Sequence, residues 1–361
     1  MTYLNLELIS AVASMAERVG IDTTTPAGGT DGALWAALTE AGFTEIGIPE
    51  AQGGSGGSTA DALSVLHAVA RHGALTMLLE HTVLASRLVA ECTGNPANQP
   101  ATLAIAREGC TARDTGDGVV LDGIVTGVVH GSDAQLLVVL LPASGAGERP
   151  SVAIVAADAA GISSERGSDL LGAALDDYRF DGTPVRLYRS PVDTTEVEER
   201  GALAYAVALT AAAGAVRDRT LRYAAERVQF GRPLAKFQAI QQRLAGLAAS
   251  TALMETATEA AATADHTARR TAIAAAKVVT SASAREVAAA GHQIHGAIGF
   301  TSEHMLGRST TALWSWRNRY GSERYWSEVL AGQILDEGAD PWDLIIGAES
   351  TDAVAAERYS R

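Results

Sequence analysis

The stretch ERVQFGRPLAKFQAIQQRLAGL at residues 226–247 concentrates side chains that could bind an anion. Arg227, Gln229 and Gln238 place a guanidinium and two amides around residues 231–233, Gly-Arg-Pro, where one helix should end and the next begin. A helix start offers free N–H groups and an arginine offers a forked cation, and both suit a phosphate. The spacing therefore predicts a phosphate-binding corner.

The same stretch also fits a simple joint between two helices. In that interpretation Phe230 packs in the core and Arg227 is solvated. It does not explain why three polar side chains crowd one joint.

The overall composition narrows the function classes. The chain has 361 residues, 47% of them hydrophobic, and a formal net charge of −14, which argues against nucleic acid and anionic membranes as partners. Cys92 and Cys110 are too isolated for a zinc site or a disulfide framework and favour a reducing compartment. The N-terminus has no basic region typical of a signal peptide, and the apolar run 201–216 is short for a membrane span. We expect a cytoplasmic protein.

The predicted phosphate-binding corner lies between two long helices. The sequence predicts helical regions on both sides of a β-rich middle. Residues 1–100 show helical periodicity with Gly-rich breaks, including a helical run from Thr59 to Leu88. Short β-branched runs fill residues 101–195. This order is not a βαβ alternation, so it predicts a multidomain α+β chain that is mostly α. Residues 196–345 predict a helical bundle and 346–361 a tail, with helices at Tyr205–Arg227, Lys236–Ala264, Arg269–Gly291 and Trp314–Ile334.

Three motifs carry a family resemblance. The run from Arg227 to Gly231, followed by Pro233-Leu and Phe237-Gln238, closely resembles the C-terminal signature of acyl-CoA dehydrogenases. HQIHGAIGFTSEH at 292–304 is similar to that family's Q-I-x-G-G-x-G-F-T-x-E run. ALWAALTEAGFTEIGIPEAQGGSGGS at 33–58 is similar to its N-terminal motif. The resemblance spans nearly the whole chain in the right order.

The resemblance implies an acyl-CoA dehydrogenase-like fold with an N-terminal helical domain, a middle β-barrel or sandwich domain and a C-terminal four-helix bundle. It also implies an FAD enzyme that forms an α,β double bond in an acyl-CoA thioester. In this family a carboxylate removes the α-proton while the β-hydrogen leaves as hydride to the flavin, and FAD lies across a subunit boundary.

The matching positions imply that this chain contacts the pyrophosphate and adenine end of an FAD held mainly by a neighbouring subunit. Arg227 is then the phosphate fork, Gln229 and Phe230 form the loop around the cofactor, and Gln238 supports it. The cofactor-binding residues implied in this way are Arg227, Gln229, Phe230, Gln238, Gln293 and Gly296.

The flavin end of the family pattern is absent. Residues 103–114, LAIAREGCTARD, lack the Thr-Glu-Pro and Gly-Ser-Asp of the family strand. In the next strand Gly127 occupies the position of the tryptophan that shields the flavin, and Val129 that of a hydroxyl residue. These losses together predict a dismantled flavin-facing site.

The catalytic carboxylate is also missing from both of its usual positions. Tyr320 occupies one of them and Gly201 the other, and a phenol is a poor base for this step at neutral pH. No catalytic residue is therefore assigned, with Glu199 as the fallback, although Glu198 and Glu199 also suit the start of a helix electrostatically.

The histidines near the second motif have two interpretations. His292, His295 and His304 could suggest a metal site, but no carboxylate or thiolate accompanies them at ligand spacing. Roles in packing or in the cofactor loop are favoured, and no metal is predicted.

This chain has the family residues for the phosphate end of FAD and lacks those for the flavin ring and the base. In this respect it resembles one subunit of actinobacterial heteromeric α2β2 acyl-CoA dehydrogenases. The partners implied are a homologous subunit with the base, a bulky acyl-CoA such as a steroid side-chain thioester, and an electron-transfer flavoprotein or similar acceptor. Two alternatives stay open. The first is a self-sufficient homo-oligomer that uses Glu199 or another carboxylate, and the second is a non-catalytic scaffold.

Overall fold

A computed structural model describes residues 1–21, 30–107, 109–143, 145, 148–301, 304–336, 338, 340 and 342. The N-terminal part is helical. Helix α1 begins where the Asn5 side chain accepts hydrogen bonds from the backbone N–H groups of Glu7 and Leu8, and α3 begins with a capping box between Ser58 and Asp61. The helices are α1 (Leu6–Val19), α2 (Gly32–Glu40), α3 (Thr59–Arg71) and α4 (Ser86–Thr93), the last preceded by a π-helical segment at Leu79–Ala85.

The middle of the chain forms one strongly curled sheet, to which the described residues contribute seven strands. The long strand β7 joins its two halves, because residues 186–189 pair with β5 while residues 175–185 pair with β3. All pairings are antiparallel except that of β1 with β4. The strands are β1 (Ala101–Ile105), β2 (Cys110–Asp114), β3 (Val119–Val129), β4 (Leu136–Leu141), β5 (Ser151–Ala156), β6 (Ile162–Glu165) and β7 (Leu175–Arg189).

The C-terminal part is a bundle around the alanine-rich helix α5, most of which is buried. Small side chains let neighbouring helices approach α5 closely, and one core cluster runs from α1 through the sheet into this bundle. The elements are α5 (Thr194–Glu226), β8 (Val228–Gln229), β9 (Arg232–Pro233), α6 (Gln238–Thr263), α7 (Arg269–His295), α8 (Leu306–Trp316) and α9 (Glu323–Leu335). None of the helices in the described part of the chain combines the length and apolar character needed to cross a bilayer.

The helical–β–helical order predicted from the sequence is confirmed, whereas the domain boundaries stay predictions and the tail 346–361 lies outside the described residues. Four predicted helices were wrong in extent, and one of them, predicted at Arg269–Gly291, continues to His295. The run from Thr59 to Leu88 is interrupted after Arg71, where Gly73 takes a left-handed φ of 68°. Helix α5 begins at Thr194 rather than Tyr205, because the Asp193 side chain caps it.

The predicted helix Trp314–Ile334 is two helices, α8 and α9. The chain turns between them at Tyr320 and Gly321, with φ values of 49° and 95°, and the Ser322 side chain then accepts a hydrogen bond from Tyr325 N to begin α9. The helical periodicity on both sides concealed this turn.

Candidate functional site

The predicted phosphate corner is a β-hairpin that projects from the end of α5. Strands β8 and β9 pair across a two-residue tip, Phe230-Gly231, with φ values of 51° and 79°. The Phe230 side chain is 91% exposed, so its predicted alternative role in the core is wrong for this chain. Its ring makes an edge contact with that of Phe237, with 6.2 Å between centroids.

The polar side chains of the corner are also exposed. The backbone at Arg227 is fixed, because Arg227 N donates to Tyr223 O at 2.8 Å and Leu234 N donates to Arg227 O at 2.9 Å. The side chains of Arg227, Gln229 and Gln238 make no hydrogen bond or ion pair with the described part of the chain. The corner therefore presents a guanidinium and two amides on a fixed backbone.

The structure brings Gln293 and Gly296 to the same end of the bundle. The Tyr223 ring, one turn before the corner, stacks on His295 with 4.4 Å between centroids, and its hydroxyl donates to His295 O at 3.3 Å. Gln293 and Gly296 line an open groove of about 600 Å³ beside Phe300. All the sequence-predicted cofactor residues thus lie on one end of the bundle, and their roles stay predictions.

The three histidines of this region pack mainly against protein groups. His292 Nε2 lies 2.8 Å from Thr310 Oγ1, His295 Nδ1 lies 2.8 Å from Gly291 O, and the rings of His295 and His304 are 4.8 Å apart. Burial lowers the pKa of all three. Over the described ranges, no group of His, Cys, Asp and Glu residues has the geometry of a metal site.

A second region, which we call the cleft, opens between the sheet and the bundle. Its volume is about 330 Å³. Its walls combine backbone from two strands with polar side chains from three separate parts of the chain. It is lined by residues 103–105 of β1, residues 126–129 of β3, the turn 318–321, and Arg107, Glu198 and Tyr325.

The carboxylate that lines the cleft is Glu198, the neighbour of the predicted fallback base. Glu198 Oε1 lies 3.6 Å from Arg107 Nη2, and Glu198 Oε2 accepts a hydrogen bond from Tyr325 Oη at 3.2 Å. Glu199 does not line the cleft; it lies 3.9 Å from Arg270 Nε, and burial raises its pKa. The two carboxylates differ because successive positions on a helix face directions about 100° apart.

Gly201 and Tyr320, the two positions at which the family resemblance implies a catalytic base, are in contact with each other. A Cβ built on Gly201 would lie 2.2 Å from the Tyr320 ring, so the ring occupies the space that a side chain at 201 would need. The Tyr320 hydroxyl donates to Glu80 Oε2 at 3.4 Å, and the Tyr205 hydroxyl donates to Glu80 Oε1 at 2.6 Å.

Glu80 was missed by the sequence analysis. Its side chain is 1% exposed, and burial raises its pKa. The one available signal was a carboxylate within the apolar run TMLLEHTVLA at 76–85, since an unpaired charge is rarely buried. The Glu80-Tyr205-Tyr320 cluster lies behind the cleft, and its polar groups hydrogen-bond to each other.

The two regions differ in how well their residues fit an FAD. The bundle end offers a guanidinium and amides that have no partner among the described residues, and a glycine at φ 63°, which suit a pyrophosphate and a close backbone approach. In the cleft, Gly127 lies at a bulge of β3, with its N–H donating to Asp177 Oδ1 at 2.7 Å, and no aromatic ring projects from that position. Val129 is buried and offers no hydroxyl. The residues fit the phosphate end of FAD and do not fit its flavin ring.

Comparison with known proteins agrees with this architecture. The acyl-CoA dehydrogenase N-terminal domain matches residues 8–103 and the C-terminal domain matches residues 195–350. Acyl-CoA dehydrogenase FadE27 of Mycobacterium tuberculosis is 30% identical over 317 residues, which cover 77% of this chain and 81% of that protein.

Two solved structures extend the likeness to the fold. The ChsE4-ChsE5 complex from Mycobacterium tuberculosis superposes with a TM-score of 0.78 at 21% identity, covering 92% of this chain and 99% of the other. The Tcur3481-Tcur3483 steroid ACAD G363A variant gives 0.77 at 25% identity, again with 92% and 99% covered. Both ends of the chain, its sheet and its long helices therefore lead to one conclusion: this protein belongs to the acyl-CoA dehydrogenase family, whose members depend on FAD.

Proposed function

We propose that this chain is one subunit of an FAD-dependent acyl-CoA dehydrogenase and shares each FAD with a homologous partner. The observation that carries the proposal is the contrast between the exposed corner at Arg227 and the cleft, which lacks an aromatic shield at Gly127 and a carboxylate at Tyr320. A homo-oligomer built from such chains has the phosphate end of the site and lacks its flavin end.

In this proposal the corner holds the pyrophosphate and adenine end of the cofactor. The Arg227 guanidinium pairs with a phosphate, because a forked cation binds a phosphate through two charge-assisted hydrogen bonds. Gln229, Phe230 and Gln238 border the cofactor, while Gln293 and Gly296 meet its adenine half. When bound, FAD supplies the acceptor for the hydride that leaves the acyl group.

The partner then supplies the base and the contacts to the flavin ring. The ChsE4-ChsE5 structure is named as a complex and the Tcur3481-Tcur3483 structure as a steroid ACAD, which supports a two-chain assembly and a bulky acyl-CoA such as a steroid side-chain thioester. An electron-transfer flavoprotein or a similar acceptor would reoxidise the cofactor. Such an assembly would work in the cytoplasm as an α2β2 heterotetramer.

The proposal is tested by flavin content. The chain is purified alone and after coexpression with a homologue that retains the flavin-facing strands and the carboxylate, and the visible flavin absorbance is compared with the protein concentration. We expect a colourless chain alone and a yellow complex. A chain that is yellow alone, at about one FAD per chain, contradicts the shared site.

A second candidate is a self-sufficient homo-oligomer, and the position of Glu198 favours it. Glu198 is a carboxylate on the cleft wall, with one oxygen bonded to a tyrosine and the other near an arginine. Glu198→Gln would abolish dehydrogenase activity under this candidate, while the matched change Glu199→Gln would leave it nearly unchanged. Under the shared-site proposal, neither variant abolishes the activity of the complex.

A further inference from the structure

A small, partly enclosed pocket of about 40 Å³, which we call the interior cavity, lies behind the cleft. Most of its lining is apolar, including Leu66, Val69 and Trp316, with the Glu80 carboxyl at one wall. Space of this size holds a few water molecules and is too small for an acyl chain. Val129 of β3 lines both this interior cavity and the cleft, so the two spaces are neighbours.

One layer of side chains separates the two spaces. Tyr320 lines the cleft, and its hydroxyl bonds to Glu80, which lines the interior cavity. Beside it, Arg319 lines the cleft and pairs at 3.2 Å with Asp169, which lines the interior cavity. The Tyr205 ring stacks on Tyr320 with 5.8 Å between centroids and completes the layer.

The turn that carries Tyr320 is held from outside the layer. Lys277 Nζ donates to Arg317 O at 2.8 Å and to Gly321 O at 2.9 Å, and Trp326 Nε1 donates to Tyr320 O at 2.8 Å. These bonds stabilise the left-handed backbone of Tyr320, which is unusual for a bulky residue. The ring is therefore fixed in the wall and is not a loose surface side chain.

The chemistry of the wall keeps it closed. Each oxygen of Glu80 accepts a hydrogen bond from one tyrosine, so removing either ring leaves a buried carboxyl oxygen without its donor. Burial and the neighbouring Glu80 raise the pKa of Tyr205 and Tyr320, which keeps both phenols protonated as donors. The layer is a bonded unit with a free-energy cost to opening.

We infer that Tyr320, Glu80 and Tyr205 form a plug that closes an acyl channel running from the cleft into the interior cavity, so that this chain excludes acyl chains from its own half of the assembly. The inference rests on the proposed function and deepens it, because the acyl group then binds only in the partner's half. Tyr320 is the residue that decides this exclusion, since among the described residues that line the cleft it is the one that hydrogen-bonds to Glu80.

The test measures acyl preference in the full-length chain purified alone, without FAD or partner. Calorimetric titrations compare octanoyl-CoA with CoA for the wild type and for Tyr320→Gly, which removes the ring and tolerates the left-handed backbone. We expect no preference in the wild type and at least a roughly tenfold preference for octanoyl-CoA in Tyr320→Gly, because burial of about two methylene groups suffices for that gain.

Tyr325→Ala is the matched control, because Tyr325 also lines the cleft but bonds to Glu198 and does not line the interior cavity. We expect it to behave like the wild type. If circular dichroism shows that Tyr320→Gly does not fold, Tyr320→Asn replaces it with the same expectation, because asparagine also removes the ring and hydroxyl and adopts a left-handed backbone more readily than larger side chains.

A tenfold acyl preference in the wild type, or none in the folded variant, overturns the plug. Neither result depends on flavin, so a failed plug leaves the flavin-content test standing. Conversely, a chain that retains FAD alone contradicts the shared site whatever its acyl preference.

Discussion

Polar side chains are exposed at the hairpin corner, whereas those behind the cleft are buried and hydrogen-bonded. At the corner, Arg227, Gln229 and Gln238 lie on an ordered backbone with no partner in the described chain, and Phe230 is almost wholly exposed. Behind the cleft, buried polar groups such as Glu80 and Lys277 find their hydrogen-bond partners inside the chain. The corner is thus arranged to bind something outside the chain, whereas the region behind the cleft stabilises the fold itself.

The largest effect that this comparison predicts concerns Lys277. Its side chain is 0% exposed, and burial, with a smaller contribution from Arg317, lowers its pKa to about 7. Between pH 7 and the ordinary lysine value the unfolded chain then binds a proton that the folded chain does not. Because the unfolded state binds more protons, the free energy of unfolding rises with pH, by at most about 1.4 kcal/mol per unit.

Urea denaturation at pH 7, 8 and 9 checks this prediction. Lys277→Met should remove the rise, while Lys236→Met, which changes the chain's only other and exposed lysine, should keep the wild-type slope. If the free energy of unfolding rose equally with pH in the wild type and in Lys277→Met, burial would not lower the pKa of Lys277.

A smaller effect is expected at the plug. Tyr205→Phe removes the donor to Glu80 Oε1 and should lower the free energy of unfolding by about 1–3 kcal/mol, because a buried acceptor loses its hydrogen bond. Tyr325→Phe removes a similar bond to Glu198 at the surface and should cost under about 0.5 kcal/mol. Equal losses in the two variants would show that the buried Glu80 and the partly exposed Glu198 do not differ in this respect.

The smallest effect on stability is expected at the corner. Phe230→Ser should change the free energy of unfolding by less than about 0.5 kcal/mol, because its ring is exposed. The same change should weaken FAD retention in the complex with the homologous partner. Phe237→Ser is the control, since the half-buried Phe237 ring lies under the Arg232 guanidinium at 4.2 Å and its loss should destabilise the chain more. Full FAD retention by Phe230→Ser would speak against a cofactor role.

The location of the corner could be predicted from the sequence because its signal is local, whereas the helix start predicted at residues 231–233 was wrong, because the chain forms a hairpin there and α6 begins at Gln238. Arg227, Phe230 and Gly231 follow one another within five positions, and the second segment at Gln293 carries its own motif. Family and fold follow from such continuous motifs, and both are confirmed by the structure and the relatives.

The cluster behind the cleft could not be predicted in the same way. Glu80, Tyr205 and Tyr320 come from three elements separated by more than a hundred positions each, and their contact depends on tertiary packing. The turn at Tyr320 was hidden because a left-handed tyrosine carries no strong sequence signal, unlike glycine. The sequence analysis chose Glu199 instead of Glu198 as the fallback base. Counting positions along the chain does not show which face of a helix a residue occupies.

The shared-site account is tested most directly by the FAD content of the complex carrying Arg227→Ala in this chain. Loss of charge-assisted hydrogen bonds to a phosphate should weaken FAD binding roughly 10–100-fold, while size-exclusion chromatography shows the subunits still associated. Arg232→Ala, on the opposite arm of the hairpin, should keep its FAD. Unchanged flavin content in the Arg227→Ala complex would contradict the account.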